Sequence, residues 1–178
     1  MKIAIVLGST REGRVSKDVG YWVLKKSESL DVEYEVVDIA DFDLPFYGTS
    51  SEQTNVSKWN QTIEQYDGFI FIVPEYNHSI PGVLKNALDS ARDAWADKSA
   101  GIVSYGSAGG ARAAEHLRGI LSELQIASVR SHILLSLFDD FENFSTFTPR
   151  DIHNDNLKAL FHQTNRWARV LKSLRSEE

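Results

Sequence analysis

The chain contains no cysteine. Disulfides, thiolate nucleophiles and thiolate-bound zinc or iron–sulfur clusters are excluded, so any redox chemistry has to run on a bound cofactor. Long apolar runs are missing as well. Nothing approaches the ~18 residues of a membrane span. Positive charge is in deficit: 19 Lys and Arg stand against 25 Asp and Glu, a formal net charge of −6. That argues against nucleic acid as a partner, because phosphate-backbone binding needs a basic footprint. Repeats, low-complexity tracts and linkers are absent. The short apolar run after Lys2 leads into Gly8 without a small-residue cleavage site. The expectation is a cytoplasmic protein with neither a membrane nor a nucleic-acid partner.

What is present is ordinary for a globular chain: 178 residues, 42% hydrophobic and 25% charged. That gives room for one domain across 1–178 with a sizeable core. The pattern along it alternates. "KIAIVL" (2–7), "EYEVVDI" (33–39), "FIFIV" (69–73), "AGIVSY" (100–105) and "SVRSHILL" (128–135) read as strands. Between them lie stripes at helical spacing: Val15, Val19, Trp22 and Val23, then Val56, Trp59, Ile63 and Tyr66. Leu84, Ala87, Leu88 and Ala91 follow, with Pro81 expected at the first helical position. Ala114, Leu117, Leu121 and Leu124 form a fourth stripe, and Leu157 to Leu171 the longest. Strict alternation of strand and helix predicts a parallel sheet covered on both faces. Five strands fit the flavodoxin-like doubly wound α/β layout, order 2-1-3-4-5, whose ligand crevice opens at the C-terminal ends of strands 1 and 3.

Three stretches fall at that crevice. "GSTREGRVS" (8–16) follows strand 1. Ser16 is expected to cap the next helix, whose free N–H groups and dipole favour an anion. Ser9, Thr10 and Ser16 add hydroxyls, while Arg11 and Arg14 add forks suited to phosphate. The stretch reads as a cradle for one phosphate monoester. It is neither a Walker A loop, lacking the Lys-Ser/Thr pair, nor G-x-G-x-x-G. A plain helix cap with solvated arginines is the alternative. "VPEYNHSIPGVLKNALD" (73–89) follows strand 3. Tyr76 offers an aromatic face and Asn77 an amide with donors and acceptors, a wall for a flat heteroaromatic ring. A proline-anchored turn at Asn77 is the alternative. "SYGSAGGARAAEHLR" (104–118) follows strand 4, and Gly106, Gly109 and Gly110 let the backbone approach such a ring.

Together these residues resemble the NADPH-dependent FMN reductases, the flavodoxin-like group that includes azo, quinone and chromate reductases. "PEYNHSIPGVLKNALD" is the most specific part, supported by "GSTREGRVS" and "YGSAGG". The resemblance implies FMN as cofactor, NADPH or NADH as donor, a ping-pong reaction to a small acceptor and a homodimer or homotetramer. It implies that Ser9, Arg11, Val15 and Ser16 hold the FMN phosphate. Pro74, Glu75, Tyr76 and Asn77 would form the isoalloxazine loop, and Ser104, Gly106 and Gly109 would lie on the other side of the ring. Arg14 falls where the family loop varies. No residue is assigned as catalytic acid or base, because the flavin N5 carries the hydride. Glu75 is expected to make structural or intersubunit contacts, and His78 has no placed partner.

The competing class is a flavodoxin-type electron carrier. Carriers hold phosphate with Ser/Thr-rich loops and are more acidic than this chain, so Arg11 favours the enzyme. Phe138, Phe141, Phe144 and Phe147 recur every three residues among Asp139, Asp140 and Glu142. That spacing fits neither strand nor helix. It predicts a loop whose rings plug core gaps, or a cover for a neighbouring subunit. Trp95 is a further unassigned aromatic counted towards assembly.

Overall fold

In the computed structural model, which describes residues 1–49 and 53–176, five strands form one parallel sheet. They are β1 (Lys2–Leu7), β2 (Glu33–Asp38), β3 (Gly68–Pro74), β4 (Lys98–Gly106) and β5 (Ile126–Ser136), in the order β2-β1-β3-β4-β5. The fold is the flavodoxin-like α/β arrangement. A short antiparallel hairpin, β6 (Phe141–Glu142) and β7 (Thr146–Phe147), joins β5 to the last helix. The helices are α1 (Ser16–Ser27), α2 (Thr54–Glu64), α3 (Gly82–Ser90), α4 (Ala111–Glu123) and α5 (Ile152–Arg175).

The alternation of side chains along each central strand divides the core in two. Ala4, Val6, Phe69, Phe71 and Ile102 point to α2, α3 and α4, where they meet Trp59, Leu84, Leu88 and Leu117. Ile3, Ile5, Ile70, Ile72 and Val103 point to α1 and α5, where they meet Val19, Val23, Leu160 and Phe161. All seven residues of β3 are buried, which is why that strand reads as an unbroken apolar run. Each such Ile, Leu or Phe contributes about 1.5–3 kcal/mol when fully buried. Trp95 belongs to this core rather than to an assembly surface. It is fully buried, its Nε1–H donates to Leu88 O at 2.9 Å, and its ring meets Phe69 edge-on.

Two expected helix starts move by one residue. Ser16 is the first residue of α1, and the N-cap position is Val15. Pro81 is the N-cap of α3, with extended ψ of 142°, not its first residue. The ring still fixes φ at −60° there.

Lys98 is a buried cation at the start of β4, only 4% exposed. Its Nζ donates to Ile63 O (2.9 Å) and Glu64 O (3.3 Å), two carbonyls at the end of α2. Burial, with Arg175 adding to it, pulls its pKa from 10.5 down to about 8. The folded state therefore binds this proton more weakly than the unfolded chain does. Its stability is penalised below pH 8 and recovers as pH rises toward 10.5. Relative to Lys98→Met, the wild-type protein should gain about 1–2 kcal/mol between about pH 8 and 9.5 in urea unfolding. Parallel pH profiles for the two proteins would show that Lys98 titrates normally.

Candidate active site

The strands end together. Leu7 pairs with Asp38 on one side and Ile72 on the other, and Pro74 pairs with Tyr105. The loops after β1, β3 and β4 therefore meet at one edge. Gly8 opens the first loop, its N–H donating to Ile72 O at 2.9 Å. A β-carbon there would sit 2.7 Å from that same oxygen, so only glycine permits this approach.

Ser9 is buried, and its Oγ shares a hydrogen bond of 2.9 Å with the Tyr76 hydroxyl while accepting from Arg11 N at 3.3 Å. Loops β1–α1 and β3–α3 are thereby tied across the cleft. The Arg11 side chain is exposed, makes no ion pair among the described residues, and lies 5.9 Å from the Tyr76 ring centre. Arg14 behaves differently. It is mostly buried and pairs with Asp38 at the end of β2, so it braces the loop instead of offering charge to a ligand.

The N-terminus of α1 is uncapped. Among the described residues, no backbone carbonyl accepts from the N–H groups of Ser16 and Lys17. Ser16 Oγ is fully buried without a hydrogen-bond partner. The Tyr105 phenol lies near Ser16 but not in bonding geometry, and burial followed by the nearby Tyr76 pushes its pKa well above the ordinary value. An unbonded hydroxyl, free helix N–H groups and an Arg11 without an ion pair among the described residues are groups that suit an anion.

Tyr76 to Ser79 form a tight turn, with Tyr76 N donating to Ser79 O at 3.0 Å and Ser79 N to Tyr76 O at 3.1 Å. Its central residues Asn77 and His78 take left-handed φ of 49° and 68°, as two-residue hairpin turns require. Asn77 thus sits exposed at the turn and does not line the cleft. Glu75 is held by Arg112, whose Nε donates to it at 2.6 Å and whose backbone N–H donates at 3.1 Å. This carboxylate caps the start of α4 and is structural. Ser104 is also structural, its buried Oγ donating to Gly109 O at 2.8 Å. Gly110 then starts α4 with φ 74°, and a β-carbon on it would lie 2.8 Å from Tyr105 N.

The cleft bounded by these loops has a volume of about 210 Å³. Arg11, Val15, Pro74, Glu75, Tyr76 and Gly106 line it, together with Gly13, Tyr105, Leu137, Phe144 and Ser145. Of the expected residues, Ser9, Ser16, Asn77, Ser104 and Gly109 stand behind or beside it. A larger cavity of about 830 Å³ lies elsewhere, along the flank where the end of α1 meets α5. It is away from the strand ends, so the smaller cleft is the site the fold creates. Among the described residues, no group of three or more His, Asp or Glu is placed to hold a metal.

Residues 1–140 match the family model described as NADPH-dependent FMN reductase. The chain belongs to that family. An NAD(P)H-dependent FMN reductase of Nectria sp is 34% identical over an alignment of 190 positions that covers 97% of this chain and 93% of that protein. A 2-hydroxy-1,4-benzoquinone reductase of Burkholderia sp is 37% identical over 134 residues, covering 71% of this chain and 73% of that protein. Among solved structures, the flavoenzyme NAD(P)H:(acceptor) oxidoreductase FerB of Paracoccus denitrificans superposes with a TM-score of 0.75. That match has 21% identity over 97% of each chain and speaks for the fold alone. As a member of the family, this FMN reductase uses FMN and NAD(P)H. The orphaned Ser16 hydroxyl, the bare α1 N-terminus and the free Arg11 fit a flavin phosphate.

Proposed function

We propose that this protein carries a hydride from NADPH or NADH through bound FMN to a small organic acceptor such as a quinone. One observation carries the placement: the unbonded Ser16 hydroxyl at an uncapped helix start, with an Arg11 that has no counter-ion among the described residues. Arg11, Ser16 and the Ser16–Lys17 backbone hold the phosphate. Tyr76 and the backbone at Gly106 flank the ring. When bound, FMN supplies hydride acceptance and release, chemistry that no side chain here provides.

The chain's own part is position and electrostatics. Arg11 and the helix dipole neutralise the phosphate. The Ser9–Tyr76 bond fixes the distance between two walls of the cleft. Tyr105 keeps its phenolic proton at neutral pH. Glu75 is bound to Arg112 and does not serve as a base. The nicotinamide and the acceptor take turns in this cleft. Steady-state rates with NADPH and a benzoquinone both varied should give parallel double-reciprocal lines. Intersecting lines would mean both substrates bind at once and would overturn the shared cleft.

We place the protein in the cytoplasm, where NAD(P)H is supplied, and among homo-oligomers. Trp167, Val170 and Leu174, exposed at helical spacing on α5, support an assembly surface. A monomer by light scattering with FMN present would refute the oligomer.

A further inference from the structure

The four phenylalanines divide by side. Phe141 and Phe147 pack inward with ring centres 5.1 Å apart, and Phe147 meets Trp22 edge-on. Phe138 and Phe144 face out, 66% and 60% exposed, and meet each other edge-on at 5.5 Å. Phe144 sits in the β6–β7 turn with a left-handed φ of 57°, next to Asn143 at 49°. An aromatic residue rarely adopts that conformation, and such outliers persist where surrounding structure enforces them.

The enforcement is visible. Leu137 N donates to Gly106 O at 3.0 Å, which ties the segment to the cleft floor. Asp140, fully buried, accepts from Ser136 N and Arg150 N at the base of the hairpin. The tip is thereby fixed with Phe144 lining the same cleft as Arg11, Tyr76 and Gly106. The hairpin turn also lies beyond residue 140, where the match to the family model ends.

We propose that Phe144, braced by Phe138, is a specificity-determining wall of this cleft that favours flat aromatic acceptors over compact inorganic ones. The proposal rests on the reductase reading above. A second ring lining the cleft with Tyr76 gives a planar substrate an aromatic surface to lie against. A small oxyanion or metal complex gains nothing from it.

The test uses FMN-loaded full-length protein with Phe144→Ala and Phe144→Leu. Three quantities are measured: kcat/KM for 1,4-naphthoquinone, kcat/KM for ferricyanide, and calorimetric binding of 2-naphthoate, a flat ligand that is not reduced. Phe144→Ala should lower kcat/KM for the quinone about tenfold, mainly through KM, and weaken naphthoate by a similar factor. The ratio of quinone to ferricyanide kcat/KM should therefore fall about tenfold, which a general loss of activity would not produce. Phe144→Leu, which keeps apolar bulk but has no ring face, should weaken naphthoate as well. Equal losses for quinone and ferricyanide, or unchanged naphthoate binding, would overturn the role of Phe144. If the wild-type protein reduces neither acceptor, the reductase reading has failed, and the naphthoate measurement still decides about Phe144.

Discussion

Arg11→Ala should weaken FMN binding about tenfold to a hundredfold and leave riboflavin within about a factor of two, because a charge-assisted hydrogen bond is worth about 1.5–3 kcal/mol. The two ligands differ only in the phosphate. Arg11 is the cation of the β1–α1 loop that has no carboxylate partner, whereas Arg14 is paired with Asp38. The remaining phosphate contacts are the α1 dipole, worth about 0.3–1 kcal/mol, and the Ser16 hydroxyl. Ser16→Ala should therefore act in the same direction with a smaller effect. Arg11 is exposed, so raising the salt concentration should narrow the gap between wild-type and variant. Fluorescence titration of both ligands gives the ratio directly. An equal loss for FMN and riboflavin would show that Arg11 contacts the ring and does not read the phosphate.

Asp140→Ala should destabilise the fold by about 3 kcal/mol, since it strands the partners of a buried carboxylate. Asp140 has no exposed surface. It accepts from Ser136 N (2.9 Å), Arg150 N (3.1 Å), Arg150 Nε (3.0 Å) and His153 Nε2 (2.9 Å). His153 is itself buried and its Nδ1 has no partner, so Asp140 is its one anchor. Arg150 is half exposed and can rehydrate, which keeps the expected cost at the low end. Burial alone would raise the Asp140 pKa, but the Arg150 bonds, the Ser136 N–H and His153 outweigh it and hold the group below 3.8. A depressed carboxyl stabilises the fold above its unfolded pKa and loses that contribution as pH falls. Wild-type and Asp140→Asn should thus differ fully above the unfolded carboxyl pKa of ~3.9 and converge as pH falls through the depressed folded pKa. Urea midpoints across that range test it. A constant difference at all pH values would mean the carboxylate charge is irrelevant.

The strands were legible because a parallel sheet buries both faces and writes itself as apolar, β-branched runs. Each of the five runs falls on an observed strand. The proposed phosphate loop stands out in the sequence because chemistry and position coincide: hydroxyls and arginines directly after β1. The pairings that assign roles were not. Arg14 and Asp38 are 24 residues apart, and Glu75 and Arg112 are 37 apart. Nothing local marks which arginine stays free. Asn77 carried two readings, and its left-handed φ places it in a tight turn without bearing on contact with a ring. The phenylalanine spacing of three resisted assignment because a hairpin with two inward and two outward rings has no single period. Phe144 reaches the cleft only through that turn, so its place beside Arg11 and Tyr76 had no signature in the sequence.

The most direct test is anaerobic mixing of FMN-loaded protein with one equivalent of NADPH or NADH while the visible flavin band is followed. Bleaching within seconds to minutes, followed by recovery of the band on adding a quinone, is the result expected of a reductase that holds FMN in this cleft. A flavin band that persists with both nucleotides would contradict the account and leave an electron carrier in its place.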